Sequence, residues 1–216
     1  MKKLLISLMS ATLLAGTIGI AHADAGDSPI LKRIMDRGTI SIGHRETSIP
    51  FSYIGDDSKP IGYSIDICMK IVDAIKAELG KDDLTVKYVP VTGQTRIPLI
   101  ANGTIDLECG STTNNLTRQK QVSYLSTTFI TGTKIASKKD SGITEVEDLK
   151  GKIIRVMGDS ISMKMVESFD ATPKSMGGGE IYGALEKGVI NSAENNPPTF
   201  IAQSHYEVCK HFTFDH

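Results

Sequence analysis

No charge of one sign dominates this chain: 24 basic against 25 acidic residues leave a formal net charge of −1. With no basic block beyond Lys138-Lys139, that balance excludes a nucleic-acid-binding surface. Beyond residue 20 no apolar run is long enough to cross a bilayer. Cysteine is scarce, and the three present, Cys68, Cys109 and Cys209, follow no zinc-ligand spacing. None of them follows the N-terminal apolar run closely, so a lipid-anchored form is not expected. Internal repeats and low-complexity tracts are absent. The Gly177-Gly178-Gly179 run lacks the Lys-Ser/Thr that a phosphate-binding loop requires. His205, His211 and His216 do not share one helical face, so they make no metal site. No cofactor motif is present.

What is present divides into a leader and a mature chain. Lys2 and Lys3 precede an apolar run over residues 4–20, and Ala21-His22-Ala23 closes it. Polar and small residues dilute the run, so it reads as a secretory signal, residues 1–23, and not as a membrane anchor. In an oxidising compartment two cysteines can pair. Cys68 and Cys109 are the candidate pair, with buried free thiols as the alternative. The 216 residues, 40% hydrophobic and 23% charged, suffice for one large domain or two small lobes.

Strand and helix signals alternate along the mature chain. Ser28-Pro29 caps a helix over residues 30–37 that Gly38 stops. Residues 39–43 read as a strand and 44–53 as a polar loop. Ser64 caps a helix whose apolar positions, Ile65, Cys68, Met69, Val72, Ile75 and Leu79, recur at three and four. Further strands are expected at 84–91, 104–109, 153–157, 172–176 and 189–194, with a last helix running from Pro197-Pro198 to about His211. This order predicts an α/β protein of parallel sheets covered on both faces, in two lobes. Ligands then sit beyond the carboxyl ends of the strands.

Three of those strand-end loops each carry an arginine with hydroxyls nearby: Arg45 with Thr47 and Ser48, Arg96 with Thr92 and Thr95, and Arg118 with Ser111, Thr112 and Thr113. Converging guanidiniums repel unless an anion joins them. A guanidinium grips a carboxylate through two parallel hydrogen bonds, and hydroxyls fill the remaining lone pairs. The pattern points to a small molecule with two carboxylates. His44 reads as a satisfied loop histidine, and Glu194 as a solvated acid at a strand end.

The segments GHRETSIPFSYIGDDSKPIGYSIDIC and VTGQTRIPLIANGTIDLECGSTTNN, followed by Leu116-Thr117-Arg118-Gln119, resemble the periplasmic aspartate/glutamate-binding proteins of ABC importers (solute-binding protein family 3). The resemblance covers about residues 26–150. It implies a two-lobed periplasmic-binding-protein fold of type II, with Arg118 on the ligand's α-carboxylate, Arg45 and Arg96 on its side-chain carboxylate, and Ser111 and Thr113 as polar contacts. Gly93 stands where that family usually has serine.

From about residue 151, RVMGDSISMKMVESFDATPKSMGGGEIYGALEKGVINSAENNPPTF resembles instead the solute-binding proteins of tripartite ATP-independent periplasmic (TRAP) transporters, of the C4-dicarboxylate and sialic-acid type. There the arginine of the R-V strand, here Arg155, makes the main salt bridge to the substrate carboxylate, assisted by Asn195. Gly178 stands where that group usually has an aromatic. The two resemblances imply a chimera joined near residues 150–153, with the second lobe and return segment incomplete. The expected domains are a signal peptide (1–23), lobe 1 (24–135), a connection (136–150) and a partial lobe 2 (151–216). The expected function is a periplasmic protein, not an enzyme, that delivers glutamate, aspartate or a related dicarboxylate to an inner-membrane permease of an ABC or TRAP transporter. An incomplete fusion with little transport function, or a periplasmic enzyme on the same fold, are the alternatives. Facing arginines would hold the lobes apart until a ligand neutralised them.

Overall fold

The computed structural model describes residues 28–132 and 134–212. The expected signal peptide lies outside the described residues. The first helix, α1 (Pro29–Arg37), starts as its sequence dictates: Ser28 Oγ accepts from Leu31 N at 3.3 Å, and Gly38 closes it in the left-handed region. Strand β1 (Thr39–His44) follows, then a small antiparallel meander, β2 (Thr47–Ser48), β3 (Ser52–Ile54) and β4 (Pro60–Ile61), which begins in the stretch expected as polar loop and extends beyond it.

Helix α2 (Tyr63–Leu79) is capped differently from expectation. Gly62 holds the N-cap position, and the Ser64 hydroxyl instead donates to Gly110 O at 2.7 Å. Gly62 has φ +121°, and a Cβ there would lie 2.7 Å from the carbonyl oxygens of Pro50 and Phe51, so only glycine fits. Ile65, Cys68 and Val72 of α2 pack with Ile34, Ile40, Ile42 and Leu84 into one core. Strands β5 (Thr85–Pro90) and β6 (Leu107–Cys109), separated by α3 (Arg96–Ala101), flank β1 in a parallel sheet of order β5-β1-β6. Cys68 and Cys109 form a disulfide that ties α2 to β6, and Cys209 is a buried free thiol.

Short α4 (Leu116–Gln119) follows β6, and beyond it Phe129 packs on Phe51 and Tyr63. The second sheet has the order β11-β7-β10-β8-β9, built from β7 (Lys134–Lys138), β8 (Ile153–Val156), β9 (Thr172–Ser175), β10 (Ser192–Asn195) and β11 (Cys209–Phe212). It is mixed and not parallel: β7 runs antiparallel to both β10 and β11. Helices α5 (Ser160–Glu167), α6 (Ile181–Glu186) and α7 (Pro197–Ala202) complete it. The long terminal helix expected from Pro197 does not form. The chain turns at Ser204 (φ 53°) and returns as β11, where Cys209 and Phe212 extend the core.

The middle strands β7, β8 and β10 of this second sheet are buried on both faces. Ile154 and Val156 join Ile143, Leu149 and Val166 on one side, while Ala136, Ala193, Ile181 and Leu185 pack in a separate cluster. Period-two alternation sends Arg155 to the face opposite Ile154 and Val156. Residues 143 and 149, between β7 and β8, belong to this core. Among the described residues no helix is long and apolar enough to cross a membrane.

Candidate ligand-binding site between the lobes

The carboxyl ends of β1, β5 and β6 point toward those of β8 and β10, and the arginines gather there. Arg45 follows β1 and is 7% exposed; Arg96 opens α3 at 0%; Arg118 in α4 is 7% exposed; Arg155 in β8 is 5% exposed. Burial depresses the basicity of Arg45, Arg96 and Arg155, each held by a nearby carboxylate. Arg155 repels Arg45, and Arg45 and Arg118 repel Arg96, so the four guanidiniums share one electrostatic environment.

Their hydrogen bonding differs. Arg118 donates from Nη1 to Thr113 O at 3.0 Å, and its Nη2 lies 3.3 Å from Asp159 Oδ1 of the other lobe. Arg155 is committed inside lobe 2: Nε and Nη2 donate to Met176 O, Nη1 donates to Glu194 O, and the Glu194 carboxylate lies 3.8 Å away. Arg45 places Nη1 4.0 Å from Met157 Sδ across the cleft. Arg96 stands apart. None of its three guanidinium nitrogens has a hydrogen-bond partner among the described residues, although all are buried. Such a group costs free energy in the fold, and in a cleft it is poised to bind.

Thr113 lends its backbone oxygen to Arg118 and to Tyr124, while Ser111 is half-buried beside the same loop. The hydroxyls of Thr92 and Thr95 lie 3.1 Å apart and cap each other's backbone N–H groups, so they serve the turn before α3. Asn195 is buried with its amide committed: Nδ2 sits 3.3 Å from His205 Nδ1, and Oδ1 accepts from Asn196 N. His44 is buried at the end of β1, its Nδ1 3.1 Å from Arg45 O. Gly93 abuts the other lobe, its missing Cβ falling 3.6 Å from Met157 Cβ.

Three acids stand among the arginines, and none of them was expected to pair with an arginine. Glu194 is not solvated; it is 8% exposed and faces Arg155, and burial raises its carboxyl pKa despite that guanidinium. Glu108 of β6 has a buried, unpartnered Oε1, and a Cβ on Gly110 would collide with that oxygen while lying 3.0 Å from Arg45 Cγ. Burial raises its pKa against the pull of Arg96, Arg45 and Arg118. Asp159 caps α5, accepting from Ile161 N and Ser162 N, and meets Arg118. The Asp-Ser step before an apolar periodic run was a readable cap signal. Nothing local marked Glu108 beyond its place one residue before a strand-end cysteine.

Two α/β lobes with strand ends facing one another across an arginine-lined cleft define a two-lobed solute-binding protein of the type II periplasmic-binding fold. The chain belongs to the bacterial extracellular solute-binding proteins, family 7, whose sequence model matches residues 101–216. It is also 45% identical over 169 residues to an L-glutamate/L-aspartate-binding protein of Pseudomonas aeruginosa, covering 78% of this chain and 56% of that one. A glutamate/aspartate import solute-binding protein of Salmonella typhimurium is 44% identical over 171 residues, covering 77% and 57%. The chain thus spans a little over half the length of these relatives. Among solved structures, an ancestral amino acid-binding protein described as a precursor of cyclohexadienyl dehydratase superposes with TM-score 0.71 at 23% identity, covering 85% of this chain and 81% of that one. An arginine-binding protein of T. maritima gives TM-score 0.72 at 21% identity, covering 82% and 76%. These neighbours establish the fold.

Proposed function

We propose that this chain is a periplasmic binding protein for an acidic amino acid, glutamate or aspartate, which it presents to the permease of an ABC importer. The observation that carries this reading is Arg96: a fully buried guanidinium with three unpartnered nitrogens, between Arg45 and Arg118 at the ends of parallel strands. A carboxylate seated against it would remove the cost of those unmet donors and offset the mutual repulsion. Arg45 and Arg96 would take one carboxylate and Arg118 the other, with Ser111 and Thr113 at the rim. Arg155 and Asn195, already bonded within lobe 2, would contribute mainly through charge and shape. Relatives at 43–45% identity named for glutamate and aspartate support the same reading.

Carboxylates stand beside these guanidiniums: Glu108 and Glu46 act on Arg45, and Glu194, Glu180 and Asp159 act on Arg155. A ligand that carries an ammonium as well as carboxylates would find partners for both, which favours an amino acid over a plain dicarboxylate. The family 7 match keeps a TRAP partner as a second reading, and with it the idea of a chimera joined near residues 150–153. A thermal-shift screen with glutamate, aspartate, succinate and malate separates these outcomes. A ligand at one hundred times its Kd stabilises by about 2.7 kcal/mol. We expect shifts with glutamate and aspartate only. A shift with succinate or malate alone would favour the TRAP-type reading, and no shift with any diacid would favour a fusion without binding function.

A further inference from the structure

Away from the arginines, the lobes meet along a second line of contact. Thr199 Oγ1 on α7 donates to Ile49 O at 2.7 Å, and Gln203 Nε2, from the residue that caps the helix end, donates to Thr47 O at 2.8 Å. Gln203 N donates to Thr199 O at 2.9 Å, which holds the two residues one turn apart, and both side chains reach one short turn of lobe 1. The helix itself is fixed at its start, where Asn196 Oδ1 accepts from Thr199 N at 2.9 Å and Asn196 N donates to Asn195 Oδ1. Gly178 lies against the same turn. A Cβ there would sit 2.8 Å from Thr47 O and 3.1 Å from Thr47 Oγ1, and the first of these is backbone that cannot rotate away.

We infer that Thr199 and Gln203 are positioning residues that set ligand affinity by favouring the closed arrangement of the lobes, and that Gly178 is kept free of a side chain so that the Thr47–Ile49 turn can dock. Every group in this seam belongs to the chain, and none is an arginine of the cleft, so the seam favours closure whether or not a ligand is bound. Binding through a closed state is weakened in proportion to the fraction of molecules that can reach it. Two neutral hydrogen bonds between the lobes shift that population by about tenfold. The inference rests on the ligand-binding reading above for its effect on affinity, but its effect on lobe closure is independent of ligand identity.

The test uses the mature chain with T199V/Q203L, G178A and the conservative T199S. Small-angle scattering of the protein without added ligand should give a larger radius of gyration for T199V/Q203L and for G178A, and T199S should match the parent. With glutamate, T199V/Q203L should release ligand about tenfold faster, and G178A faster than the parent, with little change in association rate. Radii and release rates equal to the parent in both T199V/Q203L and G178A would overturn the inference. If the parent ignores glutamate while the scattering differences appear, the seam stands and the ligand assignment falls.

Discussion

Replacing Arg96 by methionine should make the ligand-free protein more stable and the binding protein useless. Arg96 is 0% exposed, and none of its guanidinium nitrogens is hydrogen-bonded. An unsatisfied buried polar group costs about 1–3 kcal/mol, more when charged. Glu108 attracts it, but desolvation outweighs that attraction, and Arg45 and Arg118 add repulsion. Methionine fills a similar volume without charge or donors, and Glu108 keeps Arg45 and Arg118 as charge partners where Glu194 has chiefly Arg155, so unfolding free energy should rise by up to about 1–3 kcal/mol. Binding moves the other way. Truncating one partner of a buried charge-assisted pair costs about 2–5 kcal/mol, so Kd for glutamate should rise about 30-fold to several thousandfold. The assays are urea unfolding without ligand and calorimetric titration with glutamate. A structural arginine gives the opposite signature: lower stability with affinity unchanged. That result would refute the assignment of Arg96 to the ligand.

Three further outcomes are expected. The Cys68–Cys109 bridge spans a sequence separation of 41, and the loop-entropy relation puts its removal by C68A/C109A at about 4 kcal/mol in urea unfolding. Burial and Arg155 lower the His205 pKa from 6.5 to about 4. The folded state thus holds this ring neutral, and its contribution is complete above pH 6.5 and is lost as pH falls toward 4. Between those values the parent should lose on the order of 3 kcal/mol more than H205Q in pH-dependent unfolding. Arg155→Met should leave Glu194 buried without its partner, costing about 3–5 kcal/mol of stability by the same unfolding assay. If Arg155 instead acts chiefly on the ligand, stability will hold and affinity alone will fall.

The elements of lobe 1 were legible because their signals are local. Ser28-Pro29 and Gly38 bracket α1, and the three-and-four spacing from Ile65 to Leu79 specifies α2. Lobe 2 was harder at its end. Pro197-Pro198 opens a helix by fixing backbone angles, but what stops it is Ser204 in the left-handed region and the pairing of β11 with β7, more than sixty residues upstream. No window along the chain carries a pairing of that range. The same reason explains Ser64: its hydroxyl could cap a helix, and only the nearness of the Gly110 carbonyl gives it a different partner. Gly93 and Gly178 read as departures from family patterns, and both prove to face the opposite lobe.

The sequence by itself determined that arginines occur at the ends of strands, since strand periodicity and the loops that follow are properties of short segments. It also determined the kind of partner those arginines need, because a guanidinium binds carboxylates wherever it sits. Only the tertiary structure decided which arginine is left without partners. Arg155 finds Met176 O and Glu194, Arg118 finds Thr113 O and Asp159, and Arg96 finds none among the described residues. The physical reason is that satisfaction of a buried charge depends on distances of about 3 Å between groups far apart in the chain, which only the packing of the two lobes sets.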